Sequence, residues 1–176
     1  MGTHNHLGLA AKEIIMCRTF ISAIASLLLV VTAQGQTLQL NTIYRFYRPD
    51  TADHLYSNAP AAESPVVSWA YNSEGPAFSV ASQPAPGLIP LYRFFKPTGG
   101  HYYDINPRGG ARFNASLEGV MGYIWPEPQP GLQPLFAWYQ PQIDRHFYTL
   151  DPKGELAPYA GYQPAGILGY VVPGQR

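Results

Sequence analysis

Cysteine is almost missing from this sequence of 176 residues, since the one example is Cys17 near the amino terminus. The rest of the chain therefore cannot form disulfides, thiolate nucleophiles or zinc–thiolate sites. Charged residues make up only 12% of the chain, and they balance to a formal net charge of zero. The basic surface that is typical of nucleic-acid binding is excluded, so we expect no nucleic-acid partner.

Motifs of known catalytic chemistry are missing as well. The sequence has no Gly-x-Ser-x-Gly elbow, no HExxH helix and no glycine loop for phosphate. Asp53 and His54 are adjacent, but neighbours on a strand point to opposite faces, so they do not form a dyad by themselves. No two carboxylates stand out as a glycosidase pair. We predict that the protein is not an enzyme and has no catalytic residue, metal site or cofactor. The weaker alternative is a hydrolase, which would require one unit to have diverged into a cleft with two close carboxylates, and the sequence gives it no support.

Residues 1–35 have the pattern of a secretory signal peptide. Arg18 precedes an apolar run from Phe20 to Val31, and small residues follow at Ala33 and Gly35. The run is too short to span a membrane, which takes about 20 apolar residues. A start at Met16 would make residues 1–15 an upstream extension. We predict a secreted protein, extracellular or periplasmic, with no stable membrane insertion after cleavage.

Residues 36–176 contain one pattern three times. An aromatic run ends at a Pro and is followed by His-x-Tyr, and the three copies start about 45 residues apart. The three pairs of segments are Tyr44–Pro49 with His54–Ser57, Leu91–Pro97 with His101–Asp104, and Leu135–Pro141 with His146–Thr149. A fixed period in this range indicates a repeat architecture, in which no single copy buries its own apolar face.

The composition favours short strands joined by turns. Aromatic residues make up 14% of the chain, and 18 Pro and 17 Gly residues interrupt the apolar runs. We predict a single all-β domain of three units, at about 38–86, 87–130 and 131–176, with four strands each. The third strands are placed at Val66–Tyr71, Ala111–Leu117 and Tyr159–Gln163. Twelve strands predict a β-trefoil, and the alternative is another closed all-β repeat fold such as a small propeller.

These motifs resemble a family of secreted bacterial repeat domains of uncharacterised function. Its pattern is Tyr-Arg-Phe-Tyr with Pro, then His-aromatic-Tyr, then Glu-Gly before an aromatic strand, as at Glu74-Gly75 and Glu118-Gly119. The third unit departs from it, because Ala137-Trp138 replaces Arg-Phe and Ala165 precedes Gly166. The resemblance implies an extracellular binding role and no established reaction, cofactor or ligand.

The recurring histidines and tyrosines are the first candidates for a ligand site. A period of two along a strand places each His and its Tyr on one face of the sheet. Three readings stay open, which are a structural role, a ligand pocket in each unit, and three histidines that converge on a metal. The candidate residues are His54, Tyr56, His101, Tyr103, His146 and Tyr148.

Secondary candidates lie outside that position. Arg45 and Arg93 stand between aromatics, and they either pair with the recurring Glu74 and Glu118 or bind a ligand. Trp69, Trp125 and Trp138 do not occupy equivalent positions, so each is either a stacking platform for a sugar or part of the core.

The function that this sequence favours is non-catalytic, lectin-like binding of a carbohydrate or cell-wall glycan at the repeated sites. Several weak sites would raise the overall affinity through multivalency. The expected partner is therefore a glycan or cell-surface polysaccharide. The alternative is a protein-interaction or inhibitor scaffold that binds a protein partner through its loops.

Overall fold

A computed structural model describes residues 32–33, 36–61 and 63–174. The predicted signal peptide lies outside these residues except for Thr32–Ala33, a short strand (β1) that pairs with Gln36–Thr37 (β2). The prediction of an all-β protein is confirmed. Nine longer strands form one antiparallel sheet that is mostly open.

The nine strands fall into three groups in chain order. Each group has two strands joined by a tight turn, a short helical segment, and a long third strand. The strands are β3 (Leu40–Arg48), β4 (Asp53–Ser57) and β5 (Asn72–Ala81); β6 (Ile89–Phe95), β7 (His101–Asp104) and β8 (Ser116–Ile124); and β9 (Gln133–Gln140), β10 (Arg145–Thr149) and β11 (Gln163–Pro173). We refer to these groups as units 1, 2 and 3.

All three units pair their strands in the same way. The first strand lies in the middle, with the second and third strands antiparallel on either side of it. The alternation of aromatic and branched residues suits such a half-buried strand, because successive side chains point to opposite faces. The register places each histidine opposite an aromatic residue of the middle strand, at Tyr47–His54, Phe95–His101 and Tyr139–His146.

The prediction of four strands per unit was wrong. Where a strand was expected in unit 1, residues Pro65–Ala70 form a helix (α1) that Ser64 caps through its hydroxyl. Proline at the first helical position and a serine before it favour a helix start over a strand. Units 2 and 3 have 3-10 turns at Gly109–Phe113 and Ala157–Ala160. With nine strands in place of twelve and no closed barrel, a trefoil is not shown.

Short pairings join the third strands of the units near their carboxyl ends. They link β5 to β8 at Ala81–Tyr123, and β5 to β11 at Ser79–Val172. The approach of β8 to β5 is close, because a Cβ on Gly122, at φ +151°, would lie 2.3 Å from Val80 Cγ2. Only glycine fits this backbone and this space. The main apolar core lies among the units, between these strands.

Candidate functional site

Three of the six first candidates meet at the place where the three units come together. The hydroxyls of Tyr56, Tyr103 and Tyr148 donate to the backbone carbonyls of Tyr148, Tyr56 and Tyr103, at 2.5, 2.9 and 3.1 Å. The same hydroxyls accept the backbone N–H groups of Tyr148, Tyr56 and Tyr103, at 2.7 to 2.9 Å. We call this arrangement the tyrosine ring.

The tyrosine ring has a structural role. All three side chains are at most 2% exposed, and burial raises the pKa of each hydroxyl well above its usual range. Each hydroxyl supplies the hydrogen bonds that the inner edge of a neighbouring second strand would otherwise lack. These tyrosines therefore hold the units together.

The three histidines lie in three different environments. His54 packs between the rings of Tyr47 and Phe147, with ring centroids 4.8 Å away in each case. Burial first, and then the charge of Arg45, lowers the pKa of His54 to about 4. Its Nδ1 atom is buried and has no hydrogen-bond partner among the described residues. His54 is therefore neutral at physiological pH.

His101 is bound to a buried carboxylate of the neighbouring unit. Its Nδ1 atom lies 2.8 Å from Asp53 Oδ2, and its backbone N–H donates to Asp53 Oδ1 at 2.9 Å. The Tyr71 hydroxyl donates to the same carboxylate. Burial alone would raise the pKa of Asp53, but the hydrogen bonds and charge of His101 outweigh it and hold that pKa at about 2. Asp53 thus forms hydrogen bonds with His101 and not with its sequence neighbour, His54.

His146 lies inside a box of aromatic rings. Tyr102, Phe113 and Tyr139 surround it at centroid distances of 4.6 to 5.0 Å. The side chain is buried, and this burial lowers its pKa to about 3. The Nε2 atom is buried, and no residue in the described part of the chain forms a hydrogen bond with it. His146 is part of the packing between units 2 and 3.

Two equivalent ion clusters lie at two of the three boundaries between units. In the first cluster, Arg45 donates from Nε to Glu74 at 2.8 Å, and from Nη1 and Nη2 to Glu155 of unit 3 at 2.8 and 3.0 Å. The His54 Nε2 atom lies 3.9 Å from Glu74 Oε2. The pairing of Arg45 with Glu74, one of the two readings from the sequence, is present.

The second cluster repeats this geometry between units 2 and 1. Arg93 donates from Nε to Glu118 at 2.9 Å, and from Nη1 and Nη2 to Glu63 of unit 1 at 2.5 and 2.9 Å. The His101 Nε2 atom lies 3.7 Å from Glu118 Oε2. Each cluster thus has one arginine held by a carboxylate of its own unit and a carboxylate of the next.

At the third boundary, the residues that the structure describes form no such cluster. Ala137 and Ala165 occupy the positions of the arginine and of the glutamate from the same unit, and Gly110 occupies that of the glutamate from the neighbouring unit. The aromatic box of His146 lies at this boundary instead, with the ammonium of the buried Lys96 5.5 Å from the Phe113 ring. We call it the aromatic boundary.

A cleft opens at the first cluster. It consists of a larger cavity of about 830 Å³ and a smaller one of about 360 Å³, which share Arg45, Glu74 and Glu155 in their walls. Three carboxylates and an arginine line the larger cavity together with apolar residues, whereas aromatic and apolar residues dominate the smaller one. The side chains of the smaller wall include Tyr47, His54, Phe147, Leu156 and Tyr162. The combination of an apolar wall and a few fixed polar groups is typical of ligand pockets.

The remaining sequence candidates separate clearly by exposure. Trp125 and Trp138 are 1% and 6% exposed, so they are core residues and not platforms for a ligand. Trp69, in α1, is 84% exposed. Among the first candidates, His54 lines the smaller cavity and Tyr148 contributes to the wall of the larger one, but the six residues do not form one site.

Sequence reasoning missed Glu63, Glu155 and the role of Asp53. A signal for the two glutamates was present, since each lies six residues after the residue that follows His-x-Tyr. Within the described residues, no group of three His, Cys, Asp or Glu side chains is placed to hold a metal ion. The helices of the described residues include none that is long and apolar enough to cross a membrane.

Comparison with known proteins locates one domain. Residues 29–111 match a family described as a domain of unknown function, DUF5648. The match spans unit 1 and the first two strands of unit 2. No curated protein and no solved structure matches the chain.

Proposed function

We propose that the protein is a secreted, non-catalytic module that binds a glycan in the cleft beside the first cluster. The observation that carries the proposal is the combination in one cleft of fixed carboxylates with a wall of aromatic rings. A sugar presents hydroxyl donors at its edge and C–H groups on its faces, so it complements both kinds of wall. The sequence pattern predicted binding at three equivalent sites, whereas this proposal has one principal site.

The polar side of the cleft is rigid. All three guanidinium nitrogens of Arg45 donate to carboxylates, and this bidentate pairing fixes the orientation of Glu155. Glu74 and Glu155 are still about one-third exposed, at 32% and 33%. Carboxylates that are held in advance lose little entropy when they accept hydrogen bonds from a ligand, which favours binding.

The apolar side of the cleft presents ring edges and faces. Tyr47 is half-buried beside His54, and Leu156, at 76% exposure, stands at the mouth of the smaller cavity. Because His54 is neutral, it offers a ring and a hydrogen-bonding nitrogen without a charge. We propose that one sugar ring lies against this wall while its hydroxyls reach the carboxylates.

We propose that the protein is exported, and residues 18–35 support this part of the proposal. An apolar run after Arg18 with small residues near its end supports secretion to the periplasm or the cell exterior. A glycan of a cell wall or cell surface is the partner that such a module would meet there. The three units would then be copies of one module, of which the first boundary carries the principal site.

The test is to obstruct the cleft without disturbing the fold. Leu156→Arg places a long side chain at the mouth of the smaller cavity, and Ile167→Arg is a matched control at a half-exposed position of β11 that lines neither cavity. Binding of the full chain is measured on glycan arrays and on insoluble cell-wall polysaccharides. We expect Leu156→Arg to lower retention at least about tenfold, which corresponds to 1.4 kcal/mol, and the control to bind like the parent. The proposal is wrong if the folded parent protein binds no glycan.

A protein partner is the second candidate. Its support is that the two most exposed large apolar side chains of the described residues, Trp69 and Tyr159, lie in the helical connections of units 1 and 3. Aromatic residues of this kind are common hot spots of protein interfaces. Binding to whole cells that is lost in Trp69→Ala but kept in Leu156→Arg would favour this candidate over the glycan.

A further inference from the structure

We propose that export leaves this protein with a glutamine as its first residue, and that this glutamine then cyclises to pyroglutamate. The inference rests on the secretion in the proposed function and goes beyond it to a covalent modification. It does not depend on the ligand of the cleft. Its support comes from the residues at the end of the predicted signal peptide and from the place where the packed domain begins.

Both predicted ends of the signal peptide are followed by a glutamine. Val31 and Ala33 have the spacing of one cleavage site, and Ala33 and Gly35 have the spacing of a second. Cleavage after Ala33 makes Gln34 the first residue, whereas cleavage after Gly35 makes Gln36 the first residue. The type of the first residue is therefore the same for either cut.

The packing of the domain requires that the cut falls before Leu38. The Leu38 side chain is 9% exposed and packs in one apolar cluster with Trp125 and Val172. The backbone carbonyl of the next residue, Gln39, accepts the N–H of Ser82 at 2.9 Å. A chain that began after Leu38 would leave a gap in this cluster, and both predicted cuts avoid that loss.

The same cluster indicates how much of the amino-terminal segment the fold uses. Each unit contributes an equivalent leucine at the start of its first strand or one residue before it, at Leu40, Leu88 and Leu132. In units 2 and 3, the linker from the preceding unit leads to this leucine. In unit 1, Leu38 and Gln39 lead to it, so the domain needs the chain from Leu38 onward.

Cleavage also frees the new amino terminus from its strand partner. Among the described residues, β2 (Gln36–Thr37) pairs with β1 (Thr32–Ala33) and with no other strand. Either cut separates β1 from the domain, so Gln36 loses this partner, and Thr37 beside it is exposed. A terminal residue without a strand partner can bend its side chain back onto its own amino group.

The cyclisation needs neither an oxidant nor a co-reactant. The neutral α-amino nitrogen attacks the Cδ atom of the glutamine's own side-chain amide, a C–N bond closes a five-membered lactam, and the amide nitrogen leaves as ammonia. An α-amino group has a pKa of about 8, so part of it is neutral and nucleophilic at physiological pH. The product carries no charge at the amino terminus, as after acetylation, and offers no free amine to an aminopeptidase.

The experiment identifies the first residue of the exported protein. The full chain is expressed in a bacterium, and the exported protein is collected from the periplasm and from the medium. Its intact mass and the tandem mass spectrum of its amino-terminal peptide are measured. We expect the cleaved chain to be lighter by one ammonia than a chain with a free terminal glutamine. Edman degradation, which needs a free amine, should give no sequence.

Matched variants show whether the terminal glutamine is responsible. Gln34→Ser combined with Gln36→Ser keeps a polar residue after either cut but removes the side-chain amide, so we expect a free amino terminus. Gln39→Ser is the control, because Gln39 is an exposed glutamine inside the chain, and it should keep the lactam. Equal thermal melting of the two variants shows that the fold is retained.

The outcomes separate this inference from the proposed function. A cleaved chain with a free amino-terminal glutamine, or with any other first residue, overturns the inference and leaves secretion and glycan binding intact. A chain that stays uncut in the cytoplasm contradicts the proposed secretion and, with it, the inference. A lactam on a folded protein that binds no glycan supports the inference, whereas the proposed glycan binding then fails.

Discussion

The three boundaries between units are built in two ways. The boundaries at Arg45 and Arg93 each have an arginine held between two glutamates, whereas the aromatic boundary has none of these three charges. Removal of one member of a partly buried ion cluster leaves the others uncompensated, which costs more than removal of the whole cluster. Ala137, Ala165 and Gly110 fit this rule, because all three charged positions are neutral together.

The comparison also explains where the cleft lies. The arginine clusters keep carboxylates about one-third exposed at the surface, while the aromatic boundary fills the same region with Phe113 and the rings around His146. The aromatic boundary carries one ion pair between units, Lys96 Nζ with Asp144 Oδ1 at 3.0 Å, and is otherwise sealed by packed rings, so it offers a ligand fewer carboxylates. The polar boundaries are therefore the ones where binding is expected.

The largest effect is expected when a charge is placed at the aromatic boundary. Ala137→Arg would introduce a guanidinium at a position that is 7% exposed and at which Ala165 and Gly110 replace the two glutamates of the other boundaries. An uncompensated buried charge costs about 3–5 kcal/mol of the free energy of unfolding. Urea denaturation measures this loss, and a glutamate at position 110 cannot rescue it, because a Cβ there would lie 2.6 Å from the Phe94 ring. A variant as stable as the parent would show that the boundaries do not differ in this way.

The tyrosine ring should be equally important at all three boundaries. Tyr103→Phe leaves the backbone N–H of Tyr56 without its partner and the Tyr56 carbonyl with only a long hydrogen bond from Arg93 Nη1, at 3.5 Å. Each buried unpaired group costs about 1–3 kcal/mol. We expect a loss of about 3 kcal/mol, and similar losses for Tyr56→Phe and Tyr148→Phe. The half-buried Tyr92 provides a control, since Tyr92→Phe should change the unfolding midpoint little. Strongly unequal losses among the three would contradict a symmetrical ring.

Acid should weaken the aromatic boundary through His146. The pKa of His146 falls from 6.5 to about 3 on folding, so the unfolded chain binds a proton between these values that the folded chain does not. The contribution of His146 to the free energy of unfolding is therefore fully present above about pH 6.5 and falls as the pH decreases, by about 2 kcal/mol at about pH 5. Urea melts of the parent and of His146→Phe at both pH values measure this. The prediction fails if the variant shows the same decrease between the two pH values as the parent.

The smallest effect concerns the two clusters themselves. Double-mutant cycles with Arg45→Met and Glu155→Gln, and with Arg93→Met and Glu63→Gln, measure the coupling free energy in each cluster. Because these carboxylates are about one-third exposed, solvent screening limits the coupling to about 1 kcal/mol. We expect the two values to agree within about 0.5 kcal/mol. A measurable coupling free energy in only one cluster would show that the two clusters differ in energy despite their shared geometry.

Much of the local structure was predictable. The aromatic runs and the His-x-Tyr segments form strands, and the turn residues fall between them, because a strand's side-chain alternation is visible in the sequence. The error at residues 66–71 was avoidable, since Ser64 and Pro65 are signals for the start of a helix. The bounds of the three predicted units, about 38–86, 87–130 and 131–176, each enclose one group of strands.

The candidate site was predictable only in part. Arg45 and Glu74 recur as Arg93 and Glu118, and their pairing within a unit was one of two readings. Their second partners come from other units, 110 and 30 residues away along the chain, so no local pattern reveals them. The same holds for Asp53, whose partner is His101 and not the adjacent histidine.

The sequence by itself determined that the protein is all-β, because strand alternation and turn chemistry act over a few residues. Only the tertiary structure decided what the repeated residues do. His54, His101 and His146 share one position in the pattern, yet one lines a cleft, one binds a buried carboxylate and one lies among aromatic rings. The physical reason is that burial, charge and hydrogen-bond partners at each position come from the neighbouring unit, and the three neighbours differ.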